Sequence, residues 1–434
     1  MSEKKRLISV RWWVAFWLFL SNVIWYLDRT NISVASTHIM KEYGWNPAQF
    51  GIVMSAFFLG YALTQIPGGW LSDRFGGSRV IQFGTIWWSI FTILTPAGMT
   101  VATMAFIRCL MGLGEGVNAP AHVALTAHWM PRREFGRASG LYLMGTFGGI
   151  MLTMPIAAWI TLKWGWQWVF YSFGSVGFIW SAIWFYYGRD NPEQHPKISK
   201  EEIELIRSDQ ESAEKMKQPT DWKRILGCWQ VWGVVISFFA ENYGFYLYVS
   251  WLPGYLMLAR GYSLSKTAYT AAIPFAVSVI ASALSGVVSD KLTQKYGVNI
   301  GRRSIVFTGF LGAAFFTILS GYTASNTMVV VYLTMAVAFL AINHPMYYAM
   351  PIDISPKDGG VIYGMINTSG TIAGVVAPAL TGFIVVLSGS HWEYALYFAA
   401  FVCVLGAIMI SLVKIRGLEY EHDVKPAVIG EPAR

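Results

Sequence analysis

Charge is what this sequence lacks. Of its 434 residues only 13% are Asp, Glu, Lys or Arg, against about 25% in soluble domains. A globule of this size could not cover itself with water-facing side chains from so few charges, which excludes a soluble protein. Cysteine is scarce as well. Cys109, Cys228 and Cys403 lie far apart with no metal-ligand spacing, which excludes a disulfide framework and a zinc site. The polar segments hold no nucleotide-binding glycine loop and no Ser/His/Asp grouping, so nothing in them supports catalysis. What the chain does have is apolar and aromatic: 55% hydrophobic residues, 16% aromatic, 20 Trp, 22 Tyr and 27 Phe, with a mean hydropathy of +0.44. That is the composition of an integral membrane protein.

A bilayer core about 30 Å thick needs roughly 20 apolar residues per helix. Twelve such stretches follow one another, near 12–34, 48–71, 80–98, 101–124, 137–161, 168–188, 230–256, 267–289, 304–323, 327–350, 360–387 and 392–413. The first follows Lys4, Lys5 and Arg6, but it is too long for a signal-peptide core and contains Asp28-Arg29; it reads as a span. With both termini inside, 26 of the 32 Lys and Arg fall in cytoplasmic segments and four outside (Lys41, Lys163, Arg260, Lys266). Arg29 and Arg108 lie within spans. This asymmetry follows the positive-inside rule for an even number of spans. The net charge of +8 and pI near 9.2 therefore report topology, not a nucleic-acid partner.

The one long polar stretch, 189–227, divides the spans into six and six. It contains Ser199-Lys200-Glu201-Glu202, a capping-box spacing that predicts a short helix, and otherwise reads as a solvated linker. The expected organisation is a bundle over 1–188, a cytoplasmic linker over 189–227, a second bundle over 228–416 and a cytoplasmic tail over 417–434.

The two halves repeat each other. After span 2 comes Gly69-Trp70-Leu71-Ser72-Asp73-Arg74-Phe75-Gly76-Gly77-Ser78-Arg79. After span 8 comes Gly286-Val287-Val288-Ser289-Asp290-Lys291, then Gly301-Arg302-Arg303. Both carry Gly-x-x-x-Asp-basic, half a chain apart. Spans 5 and 11 also correspond, with Gly140, Gly145, Gly149 and Pro155 in one and Gly364, Gly370, Gly374 and Pro378 in the other. Small residues at such spacing let helix backbones approach closely, and two copies of one unit argue for an internal repeat.

On these motifs the sequence resembles the major facilitator superfamily over essentially all its length. The resemblance implies an all-α membrane protein, twelve transmembrane helices in two pseudo-symmetric six-helix bundles, with a substrate site at the midplane between them. It also implies that Gly69, Asp73, Arg74 and Arg79, with Asp290 as counterpart, form a conformational latch at the cytoplasmic surface when the carrier opens outward. A narrower resemblance rests on Tyr26-Leu27-Asp28-Arg29-Thr30-Asn31 in span 1 and Arg108-Cys109-Leu110-Met111-Gly112-Leu113-Gly114-Glu115-Gly116 in span 4. These look like the anion:cation symporter family, which includes bacterial sugar-acid permeases and the vesicular glutamate and sialic acid carriers.

A central charge costs at least ~2.5–3.5 kcal/mol on insertion scales, so intramembrane charges call for a partner or a purpose. Asp28 and Glu115 are expected to carry protons, because their protonation depends on whether the cavity faces water. Arg29 is expected to bind substrate: a guanidinium is always charged and takes a carboxylate bidentately. Arg108, about 10 Å in rise from Glu115, is expected to tune that acid and connect the two carboxylates. The remaining expected substrate lining is Tyr26, Tyr61, Tyr243, Tyr348, Asn367 and Thr368; the family offers an amide to hydroxylated substrates where Asn367 stands. Glu241 reads equally as a third acid or as a vestibule residue. His344, before Pro345, reads as a titrating group or as a partner for broken helix backbone. One departure stands out: hexonate carriers of the family resemble one another in a longer amide where this chain has Thr146, which leaves smaller or aromatic carboxylates open.

The sequence thus points to a proton-coupled symporter importing a small organic anion across a bacterial-type inner membrane. It is expected to work as a monomer with the proton gradient as driving force and no cofactor or metal. Two alternatives remain within transport, a proton-coupled exporter and a carboxylate uniporter. Exporters usually resemble a Gly-x-x-x-Gly-Pro ending of span 5, whereas Pro155 here follows Met154. An enzyme or a transport-dead sensor is the third class.

Overall fold

The computed structural model describes residues 9–214, 222–355, 358–415 and 417. Lys4, Lys5, Arg6 and the tail beyond 417 lie outside the described residues. All regular structure within them is helical. Helix α1 spans Val10–Tyr43, α2 Pro47–Phe75 and α3 Gly77–Leu94, while α4 runs Val101–Gly116 and resumes as Asn118–Trp129. Helices α5 (Arg132–Trp164) and α6 (Gln167–Tyr187) complete the first half. The second half comprises α7 (Trp229–Leu258), α8 (Leu264–Tyr296), α9 (Val298–Tyr322), α10 (Asn326–Ile354), α11 (Gly359–Leu387) and α12 (Trp392–Leu412). Each coincides with one of the twelve apolar stretches, and α1, α2, α7 and α9 extend past theirs at one or both ends. Asn46 and Gln49 close a capping box on α2, and Thr100 with Thr103 does so on α4.

Ten of the twelve are long and apolar enough to cross a membrane by composition alone. The two that fall short are α4 and α7. They carry Arg108, Glu115, Glu241 and Asn242, the polar groups from which a site can be built.

Glycine sets how closely the first half packs. A β-carbon on Gly60 would meet the carbonyl of Cys109, and one on Gly112 the carbonyl of Phe57. Helices α2 and α4 therefore touch backbone to backbone, which side chains at these positions would forbid. The repeated glycines of α5 and α11 do related work. Gly145 and Gly149 seat α5 against Asn22, Val23 and Tyr26 of α1, and Gly370 seats α11 against Phe238 and Asn242 of α7.

The halves meet along α1 with α7, α2 with α11 and α5 with α8. At one end this seam is shut. A β-carbon on Gly51 would lie 2.6 Å from the Pro378 carbonyl, the Ala379 N–H donates to Ser55 Oγ at 3.1 Å, and Trp251 Nε1 donates to the Pro378 carbonyl at 3.0 Å. Pro378 has no N–H to give the ladder of α11, and side chains of α2 and α7 bond the backbone groups beside it. At the other end, where Asp73 and Asp290 lie, the halves part around a cavity.

The linker is not free of the bundle. Its helix, Lys200–Glu214, starts with Ser199 accepting from the Glu202 N–H at 3.2 Å, half of the expected capping box. The other half is missing because the Glu202 carboxylate turns to the start of α1. There it accepts from the N–H groups of Val10 (3.2 Å) and Arg11 (3.0 Å) and pairs with the Arg11 guanidinium at 3.1 Å. A carboxylate at a helix N-terminus satisfies otherwise orphaned donors.

Gly112→Val should destabilise the folded protein by about 2–3 kcal/mol through overpacking. Gly140→Ala, whose new methyl meets nothing within 4 Å, should leave stability unchanged or slightly raised. Thermal unfolding of both variants in detergent checks this, and equal losses would contradict the backbone-contact account.

Candidate functional site

The cavity between the halves has a volume of about 680 Å3. Its mouth is framed by Gly69, Ser72 and Asp73 of α2 and by Ile352, Gly359 and Gly360 across the seam. Its blind end is framed by Trp25, Tyr26, Arg29 and Tyr61 from the first half and by Phe245, Tyr246 and His344 from the second.

Arg29 is the centre of the blind end. Its guanidinium lies over five rings, those of Trp25 (4.6 Å), Tyr61 (4.7 Å), Tyr26 (5.0 Å), Phe57 (5.0 Å) and Phe58 (5.7 Å). Such a box stabilises a cation taken out of water. Behind it, Arg29 Nη2 pairs with Glu115 Oε2 at 3.0 Å, and Nε donates to the same oxygen at 3.3 Å. Trp25 Nε1 also donates to that oxygen. Glu115 is fully buried and does not line the cavity, whereas Arg29 and Trp25, which both contact it, do. Its other oxygen has no hydrogen-bond partner among the described residues.

Asp28 points elsewhere. Residues adjacent on a helix are rotated by about 100°, so when Arg29 faces the cavity Asp28 turns toward α3. There its Oδ2 accepts from Trp88 Nε1 at 3.1 Å, and its Oδ1 is unpartnered and fully buried. Arg108 lies between these groups without an ion pair to either acid. It donates to the Arg29 carbonyl at 3.5 Å and to Met111 Sδ at 2.9 Å, with its guanidinium 5.0 Å from the Phe57 ring. Its Nε is unpartnered. The four charged groups of α1 and α4 therefore form one buried cluster with a single direct ion pair.

Tyr26, Tyr61, Tyr348, Asn367 and Thr368 line the cavity as expected. Tyr243 does not. On α7 the cavity face is marked by Phe238, Asn242, Phe245 and Tyr246, and the helical phase carries Tyr243 round to α12, where its ring lies 5.7 Å from Phe398. Of the residues expected to form a latch, Asp73 and Gly69 are at the mouth. Arg74 lies over Trp70 and Phe75 (5.1 and 5.4 Å), and Arg79 lines a lateral groove with Phe83 and Trp87. Asp290 is paired within its own half: Arg302 bridges it (2.8 Å) to Asp353 (3.1 Å). Among the described residues Asp73 makes no ion pair.

Several lining residues were not anticipated. His122 is 2% exposed, its Nε2 lies 3.3 Å from Ser21 Oγ and its Nδ1 is unpartnered. Trp25, Tyr142 and Tyr363 join it on the wall. The signal for His122 was its place after Pro120 in an interrupted helix. No group of three or more His, Cys, Asp and Glu able to hold a metal occurs among the described residues.

This architecture agrees with a known family. The model described as "Major Facilitator Superfamily" matches residues 18–299 and 294–428, and the chain belongs to that superfamily. It is 33% identical over 405 residues to the chloroplast sodium-dependent phosphate transport protein 1 of Arabidopsis thaliana, covering 93% of this chain and 78% of the relative. It is 32% identical over 432 residues to a protein of Escherichia coli K12 named "Probable galactarate/D-glucarate transporter", covering 94% and 95%. The fold matches the crystal structure of a bacterial homolog to the human lysosomal transporter Spinster with a TM-score of 0.76 at 20% identity, over 95% of this chain and 97% of that one. The protein is a multi-pass membrane transporter and not an enzyme, and its resemblance to the anion:cation symporter family is borne out.

Tyr243→Phe should leave ligand affinity at the parental value, whereas Tyr61→Ala, which removes one wall of the Arg29 box, should lower it about tenfold or more. Ligand-induced thermal shifts in detergent distinguish the two. A Tyr243 variant that loses binding would mean that the α7 face has been misassigned.

Proposed function

We propose that this protein is a proton-coupled symporter that imports a small organic anion, such as a sugar acid or another carboxylate, by alternating access. One observation carries the reading: Arg29 presents its cation to the cavity while its counter-ion, Glu115, stands behind it, out of the cavity. A substrate carboxylate competes with Glu115 for the guanidinium and takes the planar fork bidentately. Glu115, without its partner in a dry pocket, is then neutralised by a proton. Substrate and proton thereby favour each other's binding, and the doubly loaded site is neutral. Enclosing a site with one uncompensated charge is costly, so the half-loaded carrier is held back. Asp28, against Trp88, serves as a second proton carrier, and Arg108 transmits the field between the two acids.

The basic asymmetry of the loops supports a cytoplasmic position for both termini and for the Asp73 and Asp290 loops, in a bacterial-type inner membrane. The cavity then faces inward. In the opposite state Asp73 and Arg74, with Gly69, Arg79 and the Asp290 counterpart, latch the cytoplasmic side. The moving units are residues 1–188 and 228–416, and a monomer suffices. The names of the relatives support anions as the substrate class.

Glu115→Gln should abolish accumulation driven by a proton gradient while retaining exchange of substrate in proteoliposomes, since a permanently neutral side chain mimics the loaded state. Should the variant still concentrate substrate on a proton gradient alone, Glu115 is not the coupling group. Arg29→Lys, which keeps the charge but loses the fork, should lower affinity about tenfold. Arg108→Lys should chiefly move the pH dependence of transport. Uptake against pH for both variants tests this, and an Arg29→Lys protein with parental affinity would reverse the roles.

A further inference from the structure

The second half of the molecule also places a titratable pair at the cavity, and the coupling scheme above leaves it unused. Glu241, in the middle of α7, is 1% exposed. Its Oε1 lies 3.1 Å from Nδ1 of His344, and its Oε2 accepts from Asn242 Nδ2 at 2.7 Å. Both carboxylate oxygens are therefore occupied. With Nδ1 engaged by Glu241, the remaining imidazole nitrogen, Nε2, has no hydrogen-bond partner among the described residues, and His344 lines the cavity. Four rings surround it: Tyr348 (5.6 Å), Phe147 (6.1 Å), Phe238 (6.2 Å) and Phe245 (6.3 Å).

Two further features turn this pair toward an anion. Helix α10 is broken at Ile342-Asn343, and its second segment begins at His344 (His344–Ile354), so the positive end of a half-helix dipole adds to whatever charge the imidazole carries. Arg29 and His344 also face one cavity from opposite halves, joined along the wall by rings in sequence: Phe58 lies 4.4 Å from Tyr246, and Tyr246 lies 5.3 Å from Phe245.

We infer that His344, held by Glu241, is a second anion clamp that closes only when it carries a proton, and that the preferred substrate is a carboxylate bearing a second anionic group. The inference rests on the reading of the site as an organic-anion carrier. Its logic is charge counting. On α1 and α4 two acids face two bases, so that cluster is balanced. On α7 and α10 Glu241 has an imidazole for its partner, and while that ring is uncharged the pair carries a net negative charge that repels an anion. One proton converts the imidazole into a two-donor cation: Nδ1–H stays on Glu241, and Nε2–H is offered to the cavity. A two-headed anion then spans Arg29 and His344 and ties the halves together, which a monoacid held by Arg29 alone does not do. The other titratable groups near the pair are Tyr347 and Tyr348 on α10, Tyr363 on α11 next to Tyr348 (4.9 Å), Tyr246 on α7, Tyr26 on α1 and Cys403 on α12 behind Gly244. Among the described residues no Lys or Arg forms an ion pair with Glu241, and no other acid pairs with His344.

The test uses matched acids that differ by one carboxylate, D-gluconate with D-glucarate and benzoate with phthalate. Affinities are measured on the purified full-length protein at pH 5.5 and 7.5. The parent should bind the diacid of at least one pair about tenfold more tightly at pH 5.5, with the preference shrinking at pH 7.5. His344→Gln should weaken the diacid to the level of the monoacid and leave the monoacid unchanged. Glu241→Gln, which takes away the anion that favours the imidazole's proton, should reduce the diacid preference at pH 5.5. Ligand-free melting temperatures identify a variant that fails to fold, in which case the other variant decides. A parent without diacid preference, or a His344→Gln protein that loses both acids equally, overturns the inference while the carrier reading stands. A parent that binds none of the four acids overturns the carrier reading and the inference with it.

Discussion

A carboxylate and a guanidinium enclosed in a membrane protein cannot be left to themselves, and the pair formed by Glu115 and Arg29 organises much of the first half. Removing one partner of a buried ion pair typically costs about 3–5 kcal/mol, because the other charge is left unpaired. The surroundings answer that constraint piece by piece. Trp25 donates to the carboxylate, five rings face the guanidinium, and the glycines of α2 and α4 bring two backbones into contact so that Phe57 and Tyr61 reach Arg29. The helix that carries Glu115 then breaks at Val117, immediately past the charge.

The two halves share a backbone plan but divide the chemistry. The fourth helix of each half is interrupted at the same motif, Asn118-Ala119-Pro120 in α4 and Asn343-His344-Pro345 in α10, and both asparagines are fully buried. A proline at that point removes a backbone donor, and the break opens helix ends toward the midplane. The first half fills its site with two arginines and two carboxylates. The second fills it with a carboxylate and an imidazole. One half thus offers a fixed cation, the other a group whose charge follows pH.

The sequence disclosed the architecture almost completely, because a run of about 20 apolar residues has few alternatives to a span and the repeated Gly-x-x-x-Asp motif reveals the duplication. The site was legible in composition but not in direction. Asp28 and Arg29 are neighbours in sequence, yet one faces Trp88 and the other the cavity; only the packing of α1 decides which. Tyr243 shows the same limit, since in a helix rich in aromatics every face looks suitable for lining. Anchoring the phase on Asn242 and Tyr246 would have turned Tyr243 away. The pairing of Glu241 with His344 joins residues 103 apart, and no local pattern announces it. The docking of Glu202 on α1, at a separation of 192, was likewise hidden behind a capping-box spacing that the structure uses only in part.

The central claim is that anion binding at Arg29 and protonation of Glu115 are one linked event. Proton uptake on ligand binding measures it directly, by titrating the purified protein with a bound acid in buffers of different ionisation enthalpy and comparing the parent with Glu115→Gln. The account predicts that the parent takes up protons as it binds and that the variant binds with that uptake reduced or lost. A parent that binds its substrate without taking up protons would contradict it.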